Sequence, residues 1–418
     1  MGQPARMDES VTDGTVEIGG TVAPGFEGLR EAFVRNFTEN GEVGAGFSLV
    51  HDGRTVVDLW GGVADAATGA PYTDDTLQLV FSTTKGATAV CANLLAQRGE
   101  LDVEAPVTEY WPEFGQAGKA DVPVRWLMGH RAGLPYVNAP IELDACLAWD
   151  PAVEALAAME PLWEPGTAHG YHAVTYGWLV GEVVRRISGR SLGRFFADEV
   201  AGPLGLEFWI GLPADQEPRV APLTNRGLRR DEAEGDQTEG LSDLVSQIEQ
   251  FLGPGSMLAL ALGGGSTMPF IGNGVFNRPE VRAAEVPAAN GVTNARSLAR
   301  MYAAVVGPVE GVSDGPLLTS EQVKAAATTQ TQGADRVLMF ETTFGLGFMT
   351  SSEFSPYGST ASFGHAGAGG SVGFADPENG LGFGYVMNRT MTNMSGDPRS
   401  RGLVAAAYDA IGVTPAFA

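Results

Sequence analysis

The stretch TLQLVFSTTKGATAVCANLLAQRG, residues 76–99, decides the reading of this chain. It opens as an apolar strand over Thr76–Phe81 and hands over to a helix. Ala87, Val90, Cys91, Leu94 and Leu95 fall at i, i+3, i+4, i+7 and i+8, and Gly99 after Arg98 is a natural stop. A helix with so broad an apolar face belongs in the centre of a fold. At the junction stand Ser82, Thr83, Thr84 and Lys85. Lysine is rare here, with only Lys85, Lys119 and Lys324, so a serine three residues before one of them is informative. Positions i and i+3 share a helical face, which puts Lys85 Nζ within reach of Ser82 Oγ. A serine needs a base to become a nucleophile, and lysine serves when desolvation or a neighbouring positive charge lowers its pKa. The helix N-terminus adds free N–H groups and positive potential. The same four residues also read as an N-cap serine followed by a surface lysine.

Upstream, Pro24 to Glu39 carries Phe26, Leu29, Phe33, Val34 and Phe37 at helical spacing, with Asn40-Gly41 as a stop. GFSLVHDGRTVVDLWGG (46–62) reads as a hairpin turning at Asp52-Gly53. Downstream, residues 101–285 look mostly helical with long loops, with helices near 151–159, 173–188 and 191–200. Residues 226–240 form a charged loop. The Gly-rich apolar stretch Gly253 to Phe276 reads as a loop tucked on the core or as the wall of an apolar pocket. The C-terminal part returns to strands: TTFGLGFM, SFGHAGAGGSVGFAD and GLGFGYVMN form a meander whose last turn is Pro377-Glu378-Asn379-Gly380. A closing helix spans Ser400 to Ile411. The economical architecture is α+β: one α/β sandwich built from residues 20–100 and 286–418, an antiparallel sheet flanked by helices, with a mostly helical inserted domain over 101–285.

The 418 residues carry 26 Lys+Arg against 50 Asp+Glu, a net charge of −24. That excess repels phosphate backbones and anionic lipid, so nucleic-acid and membrane-surface functions are disfavoured. Two cysteines, Cys91 and Cys146, exclude a disulfide framework and read as buried thiols in a reducing compartment. The polar, acidic N-terminus lacks signal-peptide features, and no apolar run is long enough to span a membrane. A soluble cytoplasmic protein is expected.

Competing nucleophiles fail on context. G-x-S-x-G occurs around Ser191, Ser313 and Ser371, but Ser371 has no histidine after it, Ser191 opens a helix after another helix, and Ser313 lies in a Gly/Asp/Pro loop. His169 and His172 lack the partners that would complete a metal site, so no metal or other cofactor is expected.

Two further segments sharpen the case. Gly170-Tyr171-His172-Ala173 places a tyrosine ahead of a helix, and Gly364-His365-Ala366-Gly367-Ala368 lies on a predicted strand. Ser82–Lys85, Tyr171 and His365–Gly367 follow the order of the three motifs of the serine β-lactamase and penicillin-binding-protein superfamily. The chain resembles that superfamily over roughly residues 25–412, most closely its class C-like branch of family VIII carboxylesterases. LMGHRAGLP (127–135) and EPGTAHGYHAVTYGWLVGEVVRRISGRSLGRFF (164–196) add to the likeness. The resemblance implies a β-lactamase-like fold with Ser82 as the acylated nucleophile and Lys85 taking or sharing its proton. Tyr171 would act with Lys85 as general base and help protonate the leaving group. His365 and Gly367 would form the third motif, where a glycine without Cβ lets substrate approach the strand. The backbone N–H groups of Ser82 and Ala368 would form the oxyanion hole.

Two departures stand out. Position 173 is Ala where β-lactamases usually carry Asn, and the third motif begins with His365 rather than Lys. A neutral imidazole holds a substrate carboxylate poorly, so both changes favour uncharged esters over β-lactam acids. The expected partner is a small-molecule ester with short acyl or aryl groups, and homo-oligomer formation is open. The alternatives are an amidase, peptidase or acyltransferase using the same acyl-enzyme, and behind them a weak β-lactamase or a silent binding scaffold.

Overall fold

The computed structural model describes residues 16–225, 246, 248–253, 255–271, 274–391 and 397–416. The first fifteen residues and the charged 226–240 stretch lie outside them.

The hairpin of residues 44–65 founds the main sheet. Strand β2 (Gly44–His51) pairs antiparallel with β3 (Arg54–Asp65), with Phe47 opposite Leu59. Asp52 and Gly53 both take positive φ, 46° and 75°, the turn whose twist matches that of the strands it joins. Strand β1 (Ile18–Val22) adds beside β3, and the short β4 (Ala70–Pro71) pairs with the end of β3. On the other side β2 pairs with β13 (Leu381–Met387), which arrives from the far end of the chain. The sheet continues through β12 (Val372–Asp376), β11 (Phe363–Ala366), β10 (Met349–Thr350), β9 (Glu341–Phe344) and β8 (Thr331–Ala334). All these pairings are antiparallel. A small second sheet joins β5 (Gln78–Leu79), β7 (Val292–Thr293) and β6 (Phe208–Trp209).

Helices cover both faces. Helix α1 (Glu27–Thr38) and the closing α5 (Pro398–Ala410) lie together on one face. There Leu29, Phe33, Leu403 and Tyr408 pack with Phe47, Leu59, Phe374 and Phe383. Phe383 stacks on Phe374 at 4.7 Å between ring centroids and tilts against Phe47 at 5.1 Å. The other face carries α4 (Ala295–Val306), with α2 (Thr84–Gln97) beyond it. In α2 every residue from Thr84 to Leu95 is buried, including Lys85. Helix α3 (Thr175–Ser188) packs against α2 from the 101–285 side.

Two sequence expectations need correction. The apolar run Thr76–Phe81 is strand only at Gln78–Leu79. Val80 N–H is taken by Gly291 O, and Phe81 turns to a positive φ of 45° that ends the extension. The Gly253 to Phe276 stretch is not a plain loop. It contains a helix, Met257–Gly263, because the MLALAL run has helix formers, an N-cap from Ser256 Oγ and a left-handed stop at Gly264. Among the described residues no helix is long and apolar enough to cross a membrane. Both cysteines are free and buried.

Because Phe383 joins the central strand to both neighbouring aromatics, Phe383→Ala is expected to cost about 3–5 kcal/mol of stability. Urea unfolding checks this, and an unchanged midpoint would contradict the packing described.

Candidate active site

A strained turn presents the serine. Phe81 holds a left-handed backbone conformation, costly for an aromatic residue. Its ring is anchored edge-on against Phe276 at 5.0 Å. The turn Phe81–Thr83 then feeds directly into α2. Between Phe81 and Val90, Ser82 alone keeps partial solvent access. It makes no capping bond, which removes the N-cap reading.

Lys85 is fully buried, so it is no surface residue either. Its Nζ lies 3.0 Å from Ser82 Oγ, 2.6 Å from Ala173 O and 2.9 Å from Ala288 O. Two backbone carbonyls thus accept two N–H bonds, and the remaining direction faces the serine hydroxyl. Among the described residues no carboxylate pairs with Lys85, and desolvation pushes its pKa well below the ordinary lysine value. A neutral amine in this setting turns its lone pair toward Ser82 O–H. The sequence held no signal for Ala173 O or Ala288 O, since every residue offers a carbonyl. The Asn-to-Ala departure at 173 leaves the main-chain bond from Lys85 to Ala173 O intact.

Tyr171 lies beside both Ser82 and Lys85. Its ring centroid is 4.8 Å from Lys85 Nζ. Burial raises the phenol's pKa above its usual 10.0, with the nearby Ser82 hydroxyl pulling the other way. Burial thus pushes the phenol toward keeping its proton and the amine toward losing one. Tyr171 is held by stacking on Phe344 at 6.2 Å, by His130 at 5.0 Å and by its own N–H, which donates to Asp335 Oδ1 at 3.0 Å. The helix Met257–Gly263 contributes Leu258, Ala259 and Ala261 to the same apolar cluster as Tyr171 and Ala173.

The third segment lies on β11 and the turn after it. His365 is buried, with Nδ1 2.7 Å from Ala366 O and its ring 6.0 Å from that of Tyr171. Burial, and secondarily the positive charge of Lys85, lowers its pKa to about 3, so the imidazole is neutral. Gly367 has a packing reason to be glycine beside the one expected. A Cβ there would come within 2.3 Å of Val80 O and Ser371 Oγ, so it lets the strand end press on the nucleophile turn. Ser371 Oγ donates to Val80 O at 2.8 Å and sits 3.0 Å from Thr83 Oγ1, tying the two together. Among the described residues no acceptor bonds the backbone N–H of Ser82 or Ala368. Beside Ala368 opens a mainly apolar cavity of about 250 Å³, walled by Phe340, Met349, Phe354, Tyr357 and Met391. The described residues of the Gly253 to Phe276 stretch do not line this cavity.

The remaining candidates have structural employment. Ser191 caps a helix and donates to Glu285, and Ser313 accepts from Val309 N–H. His172 bonds Gly170 O through Nδ1 and accepts Leu134 N–H on Nε2, while His130 Nδ1 accepts His172 N–H. Among the described residues no cluster of His, Cys, Asp and Glu could hold a metal ion.

Known proteins place this arrangement. Residues 30–408 match the family model described as Beta-lactamase. The esterase/beta-lactamase LipL of Mycobacterium tuberculosis is 35% identical over 389 residues, covering 89% of this chain and 83% of LipL. A crystal structure titled as a family VIII carboxylesterase is 38% identical with a TM-score of 0.82, covering 94% of this chain and all of that one. EstA of Arthrobacter nitroguajacolicus Rue61a is 35% identical with a TM-score of 0.80, covering 94% and 99%. With its serine and lysine on one helix start, its tyrosine beside them and its strand alongside, the chain belongs to the serine β-lactamase family, in the neighbourhood of the family VIII carboxylesterases.

Proposed function

We propose that this chain is a serine hydrolase that cleaves uncharged carboxylic esters, short-chain or aryl, through an acyl-enzyme on Ser82. The observation that carries this reading is the buried, unpaired Lys85 amine, tethered by two carbonyls and aimed at Ser82 Oγ. The esterase names carried by LipL and EstA support it.

In acylation the Ser82 O–H proton passes to Lys85 Nζ as Oγ bonds to the ester carbonyl carbon. The carbonyl oxygen becomes an oxyanion held by Ser82 N–H and Ala368 N–H, each such donor contributing about 3–4 kcal/mol to the transition state. Tyr171 O–H gives its proton to the departing alcohol oxygen, and the Lys85 ammonium restores it. Water then attacks the acyl carbon with the proton path reversed, freeing the acid and Ser82. The neutral His365 offers no cation for a substrate carboxylate at the third motif, and the cavity beside Ala368, though it includes Asp397, Ser400 and Arg401, is mostly apolar. The acidic surface and reduced cysteines support a cytoplasmic site of action.

An organophosphonate is expected to label Ser82 alone in the purified protein, with turnover of p-nitrophenyl acetate or butyrate lost in parallel. Label on Ser191, Ser313 or Ser371 would overturn the assignment. Ser82→Ala, Lys85→Ala and Tyr171→Phe should each lower kcat/KM by about 10³-fold or more, and double variants should lose little further because the three act as a unit. A fully active Tyr171→Phe removes that residue from the mechanism.

The pH profile should be one-sided. Protonating Lys85 removes the base, so kcat/KM falls as pH drops through a pKa depressed far below 10.5. Tyr171, raised above 10.0, and His365, lowered to about 3, add no limb between pH 5 and 9. A rate that needs pH above 10 would show that Lys85 keeps the pKa of an ordinary lysine, against the effect of its burial.

A further inference from the structure

The turn that carries Ala368 is braced from behind by a buried arginine. Arg399, at the start of α5, has no solvent exposure. Its Nε donates to Asp397 Oδ1 at 2.9 Å, and Nη2 donates to Asp397 Oδ2 and to Gly369 O, both at 2.6 Å. Nη1 donates to Glu42 Oε1 and to Arg389 O, both at 3.0 Å. All five guanidinium hydrogens are thereby used. Glu42 is itself buried and accepts the Tyr385 hydroxyl.

The bond to Gly369 O reaches the reaction centre through two peptide planes. Gly369 C=O and Gly370 N–H belong to one trans peptide, so fixing the carbonyl fixes the direction of the N–H. Gly370 N–H donates to Gly367 O at 3.2 Å. Gly367 C=O and Ala368 N–H belong to the next plane involved, and holding that carbonyl turns the Ala368 N–H to the opposite side. Gly367 N–H, bonded to Ser371 O at 2.7 Å, closes the base of the turn. Gly369 O also accepts Met391 N–H at 3.2 Å. The turn packs directly on the ion pair: a Cβ at Gly370 would lie 2.2 Å from Asp397 Oδ2 and 2.6 Å from Arg399 Nη2.

We infer that Arg399, oriented by Asp397, is a positioning residue for ester hydrolysis: it sets the direction of the Ala368 N–H through the Gly369–Gly370 and Gly367–Ala368 peptides. This rests on the acyl-enzyme reading above, in which Ala368 N–H receives the oxyanion. Lysine keeps the charge but has three donors on one nitrogen in place of five on a planar fork, so it cannot reproduce the spread of bonds to Asp397, Glu42, Arg389 O and Gly369 O. In Arg399→Lys, kcat per phosphonate-titrated site should fall about 100-fold, the loss expected for a donor displaced by about 1 Å, with KM changed less than about threefold. Affinity for a phenylboronic acid, which mimics the tetrahedral state, should fall with kcat. Asp397→Asn, which keeps the guanidinium but loosens its fork, should show the same pattern in smaller measure and serves if Arg399→Lys does not accumulate folded. Tyr385→Phe, at the outer end of the network, should lower the melting temperature yet leave kcat per titrated site within about twofold. The inference is overturned if Arg399→Lys and Asp397→Asn keep wild-type kcat and boronate affinity per site, or if Tyr385→Phe loses as much activity as they do. A wild-type protein that neither turns over esters nor takes the phosphonate would instead sink the acyl-enzyme reading itself.

Discussion

The site depends on the burial of one amine. Lys85 sits in a helix buried from Thr84 to Leu95, and among the described residues no carboxylate offsets its charge. An ammonium there would lose its hydration and gain only two carbonyls and a hydroxyl in return. The neutral form is favoured, and a neutral lysine is a base. The same enclosure raises the Tyr171 phenol, because burial penalises whichever form is charged. One physical cause thus favours a proton acceptor in Lys85 and a proton donor in Tyr171.

The surrounding structure keeps this arrangement in place. The nucleophile turn is strained at Phe81, and three contacts hold it: the Phe276 ring, the Gly291 carbonyl and the Ser371 hydroxyl. Gly367 lets β11 come close enough for the last of these. The sheet brings β11 there because β12 and β13 pair it, strand by strand, with the hairpin near the N-terminus. The Glu42–Arg399–Asp397 network then locks the start of α5 to the turn after β11. Residues from both ends of the chain therefore meet behind a site whose reactive groups come from its first half.

Much of this was legible in the sequence. The 46–62 hairpin announced itself through Asp52-Gly53, and α2 through its apolar spacing, because turn chemistry and helical period are local properties. The Ser82–Lys85 contact was legible for the same reason: i and i+3 lie on one face whatever the rest of the chain does. Two readings failed, one because tertiary contacts outweighed local pattern and one because local helix signals lay among many glycines. The apolar run before Ser82 looks like a strand, but the demands of the turn cut it to two residues. The glycines around 253–276 suggested a loop, yet Ser256 and the MLALAL run were sufficient for a short helix packed near Tyr171.

What the sequence alone determined is the inventory and its order: a serine and lysine at a helix start, a tyrosine ahead of a later helix, a histidine and glycine on a late strand. Periodicity, turn residues and spacing act over a few residues, so they can be read without coordinates. Only the tertiary structure decided that Ala173 and Ala288 would hold the amine, that Gly367 would press on the nucleophile turn, and that Arg399 would brace the oxyanion donor. Those roles belong to carbonyls, to missing side-chain volume and to contacts across hundreds of residues. Each depends on which surfaces the fold brings together, and no local pattern records that.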